Sequence, residues 1–330
     1  MKPSGWRSYE SAWRVHVEPR WSSTAVADVR YSDVAAWVAQ LSAKRGPVIV
    51  ATAFSVLARV LDDAVRDRML SSNPARGVKL PKRAPRRNVY LSAEQLHRLA
   101  DQSGRYRGLV LLLGVGGLQW GEAAALRPCD VDFLRRRIEL HRNAVTIGRQ
   151  TWVGTLKSGK SRTVVLPGLV VDALAQTAEG KGRDELLWPS QTGSYLAPPA
   201  ASGSWLSGAE ARCQKAANEA RAKESKAGGE PTTPVFPRVT AHALRHTAAS
   251  LAISAGANPK VVQRMLGHAS AAMTLDVYAD LFQPTFSRWP TGCKTCSKCA
   301  HRLRNRTHVR GRNSLYQHRR RASVGAPCQD

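Results

Sequence analysis

The chain has 330 residues, 43% of them hydrophobic, and 50 Lys and Arg against 24 Asp and Glu, a formal charge of +26. That length accommodates two domains with buried cores, and that charge draws polyanions, with nucleic acid the default partner. It argues against a membrane protein: the longest uncharged stretches, such as "GPVIVATAFSVLA", are too short to span a bilayer, and the N-terminal "MKPSGWRSYESAWR" lacks a signal-peptide core.

No Lys-rich amphipathic helix with an aromatic face suggests a membrane surface. The six scattered cysteines suit a reducing cytoplasm rather than a disulfide scaffold.

Residues 1–72 predict short amphipathic helices in "SYESAWRVHV", "SDVAAWVAQLSA" and "VIVATAFSVLARVLDDAVRDRML", where apolar residues recur at three-to-four spacing. Ser32 and Asp33 are the expected start of the second. The stretch 73–88, "NPARGVKLPKRAPRRN", mixes prolines with Arg76, Lys79, Lys82, Arg83, Arg86 and Arg87 and contains no acid. Its composition is that of a linker. Its charge places it along a phosphate backbone, with a merely solvated basic linker as the alternative.

A second domain begins at "LSAEQLHRLADQ", where Ser92 and Gln95 have capping-box spacing. "YRGLVLLLGVGGLQWGEAAALRP" reads as a buried helix, a Gly-Gly break and another helix. "RRRIELHRNAVTI", "RQTWVGTLK" and "SRTVVLP" predict three antiparallel strands. The last two are joined by a turn at "KSGK", with Gly159 at positive φ. A helix follows at "GLVVDALAQTAEG"; residues 190–238 hold loops and a polar helix with no catalytic group.

From 239 onward, "VTAHALRHTAASLAISAG" is a helix closed by Gly256, and Asn258 and Pro259 start the next. Gly267 ends that helix, and "SAAMTLDVYADLF" carries Tyr278 near its middle. The fold class is mainly α with a small antiparallel sheet, an α+β arrangement.

"HALRH" puts two histidines and an arginine into one helical turn. His242 and His246 have the spacing of a zinc pair. However, a metalloprotease glutamate would stand at Ala243, and Arg245 on the same side repels a divalent cation. The plain alternative, partly buried histidines, is kept for His246. His242 beside Arg245, a forked and always charged donor, suits a phosphate.

His268 at a helix exit and Tyr278 ten residues later complete a set fit for tyrosine attack on a phosphodiester. A phenol titrating near ~10 needs a base and cations. The pentacovalent phosphate needs donors on its oxygens. The leaving 5′-hydroxyl needs a proton, for which Lys157, before "SGKSR", is placed.

"GLQWGEAAAL", "LKSGKSRTVVLP", "HALRH", "MLGH" and "TLDVYADL", in that order, resemble the tyrosine recombinase (phage integrase) family over roughly residues 90–282. The resemblance implies a helical core-binding domain at 1–80, a basic linker at 81–90, a tyrosine-recombinase-like catalytic domain at 91–285 and a basic tail at 286–330. No arm-binding domain is expected ahead of these.

It further implies Tyr278 as the nucleophile of a 3′-phosphotyrosine link and Arg245 as the second phosphate-clamping arginine. His242 would serve in proton transfer and His268 would hydrogen-bond the phosphate. Lys157 would be the general acid, with Lys160 as its fallback. Arg76, Lys79, Lys82, Arg83, Arg86, Arg87, Lys160 and Arg162 are expected on DNA.

No metal and no cofactor are implied, because the phosphotyrosine conserves the bond energy. The implied partners are double-stranded DNA at attachment-type sites, further copies in a homotetramer on that DNA, and a directionality factor. The implied place is the cytoplasm, at the nucleoid.

Two features depart from the family pattern. Gln119 stands where "GLR-x-x-E" would supply the first clamping arginine, with Glu122 in place after it. Loss of one preorganised transition-state donor costs ~10²–10³ in rate, so a slow or inactive enzyme is expected.

The tail from 286 holds eleven Lys and Arg and one acid, and Pro284 and Pro290 oppose a helix. Its "CKTCSKC" with His301 and His308 offers a zinc reading. Disorder and a frameshifted or read-through end are the working one. A decayed DNA-binding remnant, favoured by Gln119 and the tail, stays open as an alternative. So does a type IB topoisomerase, which the "LGH…Y" spacing and the small helical domain disfavour.

Overall fold

A computed structural model describes residues 3–82, 88–148, 150–156, 159 and 161–282. Helix α1 (Pro3–Ala12) passes through a π-helical turn at Trp13–Val17 into α2 (Glu18–Trp21). Helices α3 (Tyr31–Lys44) and α4 (Pro47–Arg66) follow. The expected start at Ser32 and Asp33 is corrected by one turn position: Arg30 is the N-cap of α3 and no side chain caps it.

Val17, Trp21, Val34, Trp37, Val50, Leu57 and Leu61 form one hydrophobic cluster. Within it Trp21 and Trp37 meet edge to face, centroids 5.9 Å apart. Asn73 ties the following loop to α4, donating to the carbonyl of Ala58 and to Asp62 Oδ1 at 2.8 and 2.7 Å.

A second cluster is built on the chain from Leu91. Helix α5 (Ala93–Asp101) opens with the expected capping box, Ser92 and Gln95 bonding reciprocally at 3.1 Å. Helix α6 (Arg107–Gly116) carries Leu109 to Leu113, all with 0% exposure, and a helix apolar all round must be enclosed. Gly117, at φ +67°, ends it in the left-handed region that glycine adopts freely. Helix α7 (Trp120–Ala124) follows.

The strands are β1 (Val131–Asp132), β2 (Arg137–Leu140), β3 (Asn143–Ile147), β4 (Gln150–Gly154) and β5 (Arg162–Val165). They are antiparallel, as expected, but the pairing is not. β1, β2 and β5 form one sheet, β3 and β4 another. The expected single strand over "RRRIELHRNAVTI" breaks at 141–142, where Arg142 bonds both carboxylate oxygens of Asp130 at 2.7 Å. β2 turns Ile138 and Leu140 into the core, whereas β4 is largely exposed and has no buried face to offer the core sheet. The "KSGK" turn therefore does not join two paired strands, although Gly159 does take φ +70°.

Helix α8 (Gly168–Ala178) and the long polar α9 (Trp205–Lys226) follow. The chain then forms α10 (Ala241–Ser254), α11 (Pro259–Leu266) and α12 (Ala271–Phe282). α5, α8 and α10 all pack on α6. Asn258 caps α11 as expected, its Oδ1 accepting from the backbone of Lys260 and Val261. The fold is thus mainly α with small antiparallel sheets. Among the described residues no helix is long and apolar enough to cross a membrane.

Candidate active site

Two helix ends seat one cation. α6 and α11 both finish on a glycine at positive φ, Gly117 at +67° and Gly267 at +68°. Such ends aim unpaired carbonyls and the negative end of the helix dipole at one point. Arg245, on α10, fills that point: one guanidinium nitrogen donates to the carbonyl of Gly117 at 2.5 Å, another to that of Leu266 at 2.6 Å. Arg245 is 5% exposed. The fork has five N–H donors, so donors remain beyond these two bonds.

Arg245 borders a groove of about 690 Å³ whose lining includes Gln119, Asn143, Thr146, His242 and His268. The β3 residues supply one wall; α7, α10, the end of α11, Pro198 and Met273 of α12 supply the rest. His242 is exposed at this groove. His268 is oriented from behind by Thr274, whose Oγ1 lies 3.0 Å from its Nδ1.

Tyr278 is buried, 2% exposed, and does not line the groove. Its hydroxyl shares a 2.8 Å hydrogen bond with His246 Nδ1. The His246 ring meets His242 edge-on at 4.5 Å between centroids, and the His268 ring lies parallel to Tyr278 at 6.5 Å.

Burial and positive charge set the protonation states. Desolvation, then His242, Arg245 and His268, push His246 down to about 4. Desolvation, then Arg245 and Arg162, push His268 down to about 4. His242 is lowered by partial burial and by Arg245. Burial raises the Tyr278 phenol to about 12 against the pull of Arg245. Arg245 itself is lowered by burial, which Glu122 opposes. A cation-rich site of this kind favours the neutral forms of His246 and His268, and an anionic ligand moves their pKa values upward again.

Gln119 lines the groove, and its backbone N–H donates to Glu122 Oε2 at 2.8 Å. Glu122, 3% exposed, also receives a bidentate pair from Arg162, both bonds 2.7 Å. Arg162 was expected on DNA; its side chain is 14% exposed and is held in this pair. Of the linker cations, Lys79 and Lys82 are exposed and Arg76 pairs with Asp62. Lys157, Lys160, Arg83, Arg86 and Arg87 lie outside the described residues, as does the whole tail from 283.

The structure thus brings His242, Arg245, His268, Gln119 and Tyr278 together. The sequence offers His246 as a plain, partly buried histidine, and only the fold brings it to the Tyr278 hydroxyl; Thr274, four residues before Tyr278 and on the same helical face, carries no signal of its own in the sequence.

Residues 90–284 match the model of the phage integrase family. The chain is 28% identical to the integrase of Mycobacterium phage D29 over 278 residues, covering 81% of this chain and 67% of that protein. It is 28% identical to the integrase of Mycobacterium phage FRAT1 over 278 residues, covering 81% of this chain and 76% of that one. Among solved structures, the Tn1549 transposon integrase in complex with a circular intermediate DNA matches with a TM-score of 0.70 at 20% identity, over 87% of this chain and 94% of that one. A lambda integrase dimer bound to a core site matches at 0.56 and 16% identity, over 83% and 90%. At these identities the structural likeness establishes the fold.

Proposed function

The chain belongs to the phage integrase family, and from that premise we propose that it breaks and rejoins double-stranded DNA at attachment-type sites through a 3′-phosphotyrosine link on Tyr278. One observation carries this reading. α10 presents His242 and Arg245 to a groove, while the next residue of the same turn, His246, holds the Tyr278 hydroxyl at 2.8 Å. A buried guanidinium and imidazoles at one groove, with a phenol held behind it by the next imidazole of the same helix, suit in-line phosphoryl transfer.

In this reading the Tyr278 oxygen attacks the phosphorus. Arg245, fixed by the Gly117 and Leu266 carbonyls, offers its remaining N–H groups to the non-bridging oxygens. His268, its Nδ1 held by Thr274, directs Nε2 at the same phosphate. His242 serves proton traffic at the groove, and Lys157 protonates the departing 5′-oxygen. Gln119 gives an uncharged donor where a second guanidinium would act, so the reaction is slow.

Residues 1–80 act as a core-binding domain, 81–90 as the linker, 91–285 as the catalytic domain and 286–330 as a basic tail. Lys79 and Lys82, with Arg76, Arg83, Arg86, Arg87 and Lys160, follow the DNA backbone. Integrases solved on DNA, including a lambda integrase tetramer bound to a Holliday junction, share the fold. The shared fold supports DNA as the partner; with it we propose a homotetramer as the working assembly, a directionality factor beside it, and the cytoplasmic nucleoid as the place.

The test uses duplexes from the DNA flanking the gene, nicked so that cleavage is irreversible. A covalent protein–DNA adduct in the native chain or in Gln119→Arg, absent in Tyr278→Phe, is expected. DNA binding with no adduct in either would sink the proposal.

A further inference from the structure

We propose that His246 is the group that takes the Tyr278 proton during cleavage and returns it on rejoining, an inference that rests on the recombinase reading above. His246 Nδ1 is bonded to the reacting oxygen itself, at 2.8 Å. Among the described residues His242 makes no hydrogen bond to that oxygen; it faces the groove, and its ring meets that of His246 at 76°.

The imidazole is held from several sides. Tyr90 meets it edge-on at 6.4 Å and 88°, His242 at 4.5 Å and 76°, and Tyr278 at 5.6 Å and 65°. The charged and titratable groups acting on this pair are Tyr90, His242, Arg245 and His268. A ring fixed in this way presents one nitrogen to the phenol in a set direction.

The step balances. The Tyr278 O–H bond breaks, its proton passes to the Nδ1 lone pair, and the oxygen keeps the electron pair that forms the new P–O bond. The bond from phosphorus to the 5′-oxygen breaks, and that oxygen leaves with a proton from the general acid. On rejoining, the 5′-hydroxyl gives its proton back to that same general acid as its oxygen attacks phosphorus, the bond from phosphorus to Tyr278 breaks, and Nδ1 returns its proton to the departing phenolic oxygen.

At rest a neutral imidazole does not ionise a buried phenol. Transfer therefore accompanies P–O bond formation, when the phosphate's negative charge stands beside Arg245 and the imidazoles.

His246→Asn keeps an acceptor oxygen of similar reach but cannot carry the proton. On the nicked flanking-DNA duplex, in the Gln119→Arg background, His246→Asn is expected to bind DNA as its parent does. It should form the Tyr278-dependent adduct about 10²–10⁴-fold more slowly. His246→Ala should regain rate when imidazole is added to the medium.

An Asn variant that reacts at the parent rate, or an Ala variant that imidazole leaves unchanged, overturns the assignment. Should both variants fail to fold, imidazole ¹⁵N NMR of the native chain decides. Nδ1 of His246 must be the unprotonated acceptor, with a shift that moves in Tyr278→Phe; a proton on Nδ1 overturns the proposal. Absence of adduct from both the native chain and Gln119→Arg is a different failure, of the recombinase reading itself, and takes this inference with it.

Discussion

The Gly117 carbonyl that receives the Arg245 guanidinium stands two residues ahead of Gln119, so the side chain at 119 enters the groove beside that fixed cation. An arginine at 119 would add a second. Gln119→Arg is therefore expected to raise the rate of covalent adduct formation by ~10²–10³. Two guanidinium groups on one groove repel, so the same change should lower the melting temperature slightly in DNA-free protein and less in the complex. Full activity in the native chain with no gain from the arginine would refute this account of Gln119.

Stability should fall as the solution is acidified. His246 and His268 are both pushed from 6.5 down to about 4 by burial and neighbouring cations. Between those values the unfolded chain binds more protons than the folded one. Their contribution is therefore fully present above the unfolded value and is lost as pH drops toward the folded one. Melting curves at pH 7.5 and pH 5 should show the loss. Inorganic sulfate, a dianion that favours protonated imidazoles in the folded site, should reduce it. A melting temperature flat over this range would contradict the neutral-imidazole site.

Gly117→Ala probes the seat of Arg245 without touching the arginine. At φ +67° any side chain is strained by about 1–2 kcal/mol, and a Cβ at Gly117 would lie 2.7 Å from Leu266 Cδ2. Leu266 gives the other carbonyl to Arg245, so the clash disturbs both acceptors together. We expect a lower melting temperature and a larger loss of adduct formation than of DNA binding. Equal losses in the two would mean that the glycine serves folding alone.

Much of this site could be read from the chain. The breaks at Gly117 and Gly267 and the cap at Asn258 follow from local chemistry, since glycine and asparagine fit those backbone positions for reasons internal to a few residues. The order of motifs fixed the company of His242, Arg245, His268 and Tyr278. What stayed hidden depends on contacts between distant residues. Helical spacing puts His242 and His246 on one face, but it does not say which of them meets a phenol 32 positions away. The sheet pairing is not legible because alternation in "RQTWVGTLK" shows a strand without showing that both its faces are exposed. Arg162 looked like a DNA contact because its partner, Glu122, lies 40 residues earlier.

That pair carries the last expectation. Glu122 joins α7 to β5 through Arg162 and accepts from the backbone of Gln119. Arg162 in turn reaches the Met265 carbonyl at the end of α11, at 3.4 Å. With side-chain exposures of 14% and 3%, the two charges are shielded from water. Glu122→Ala leaves a buried guanidinium unpaired and should cost about 3–5 kcal/mol. In Glu122→Ala with Arg162→Ala the orphaned charge is gone, so the double variant should be more stable than the sum of the single losses predicts, by at least about 1 kcal/mol. Urea denaturation of all four proteins measures this coupling. A value near zero would show that the pair does not bind α7 to β5, and the position of Gln119 in the groove would then need another support.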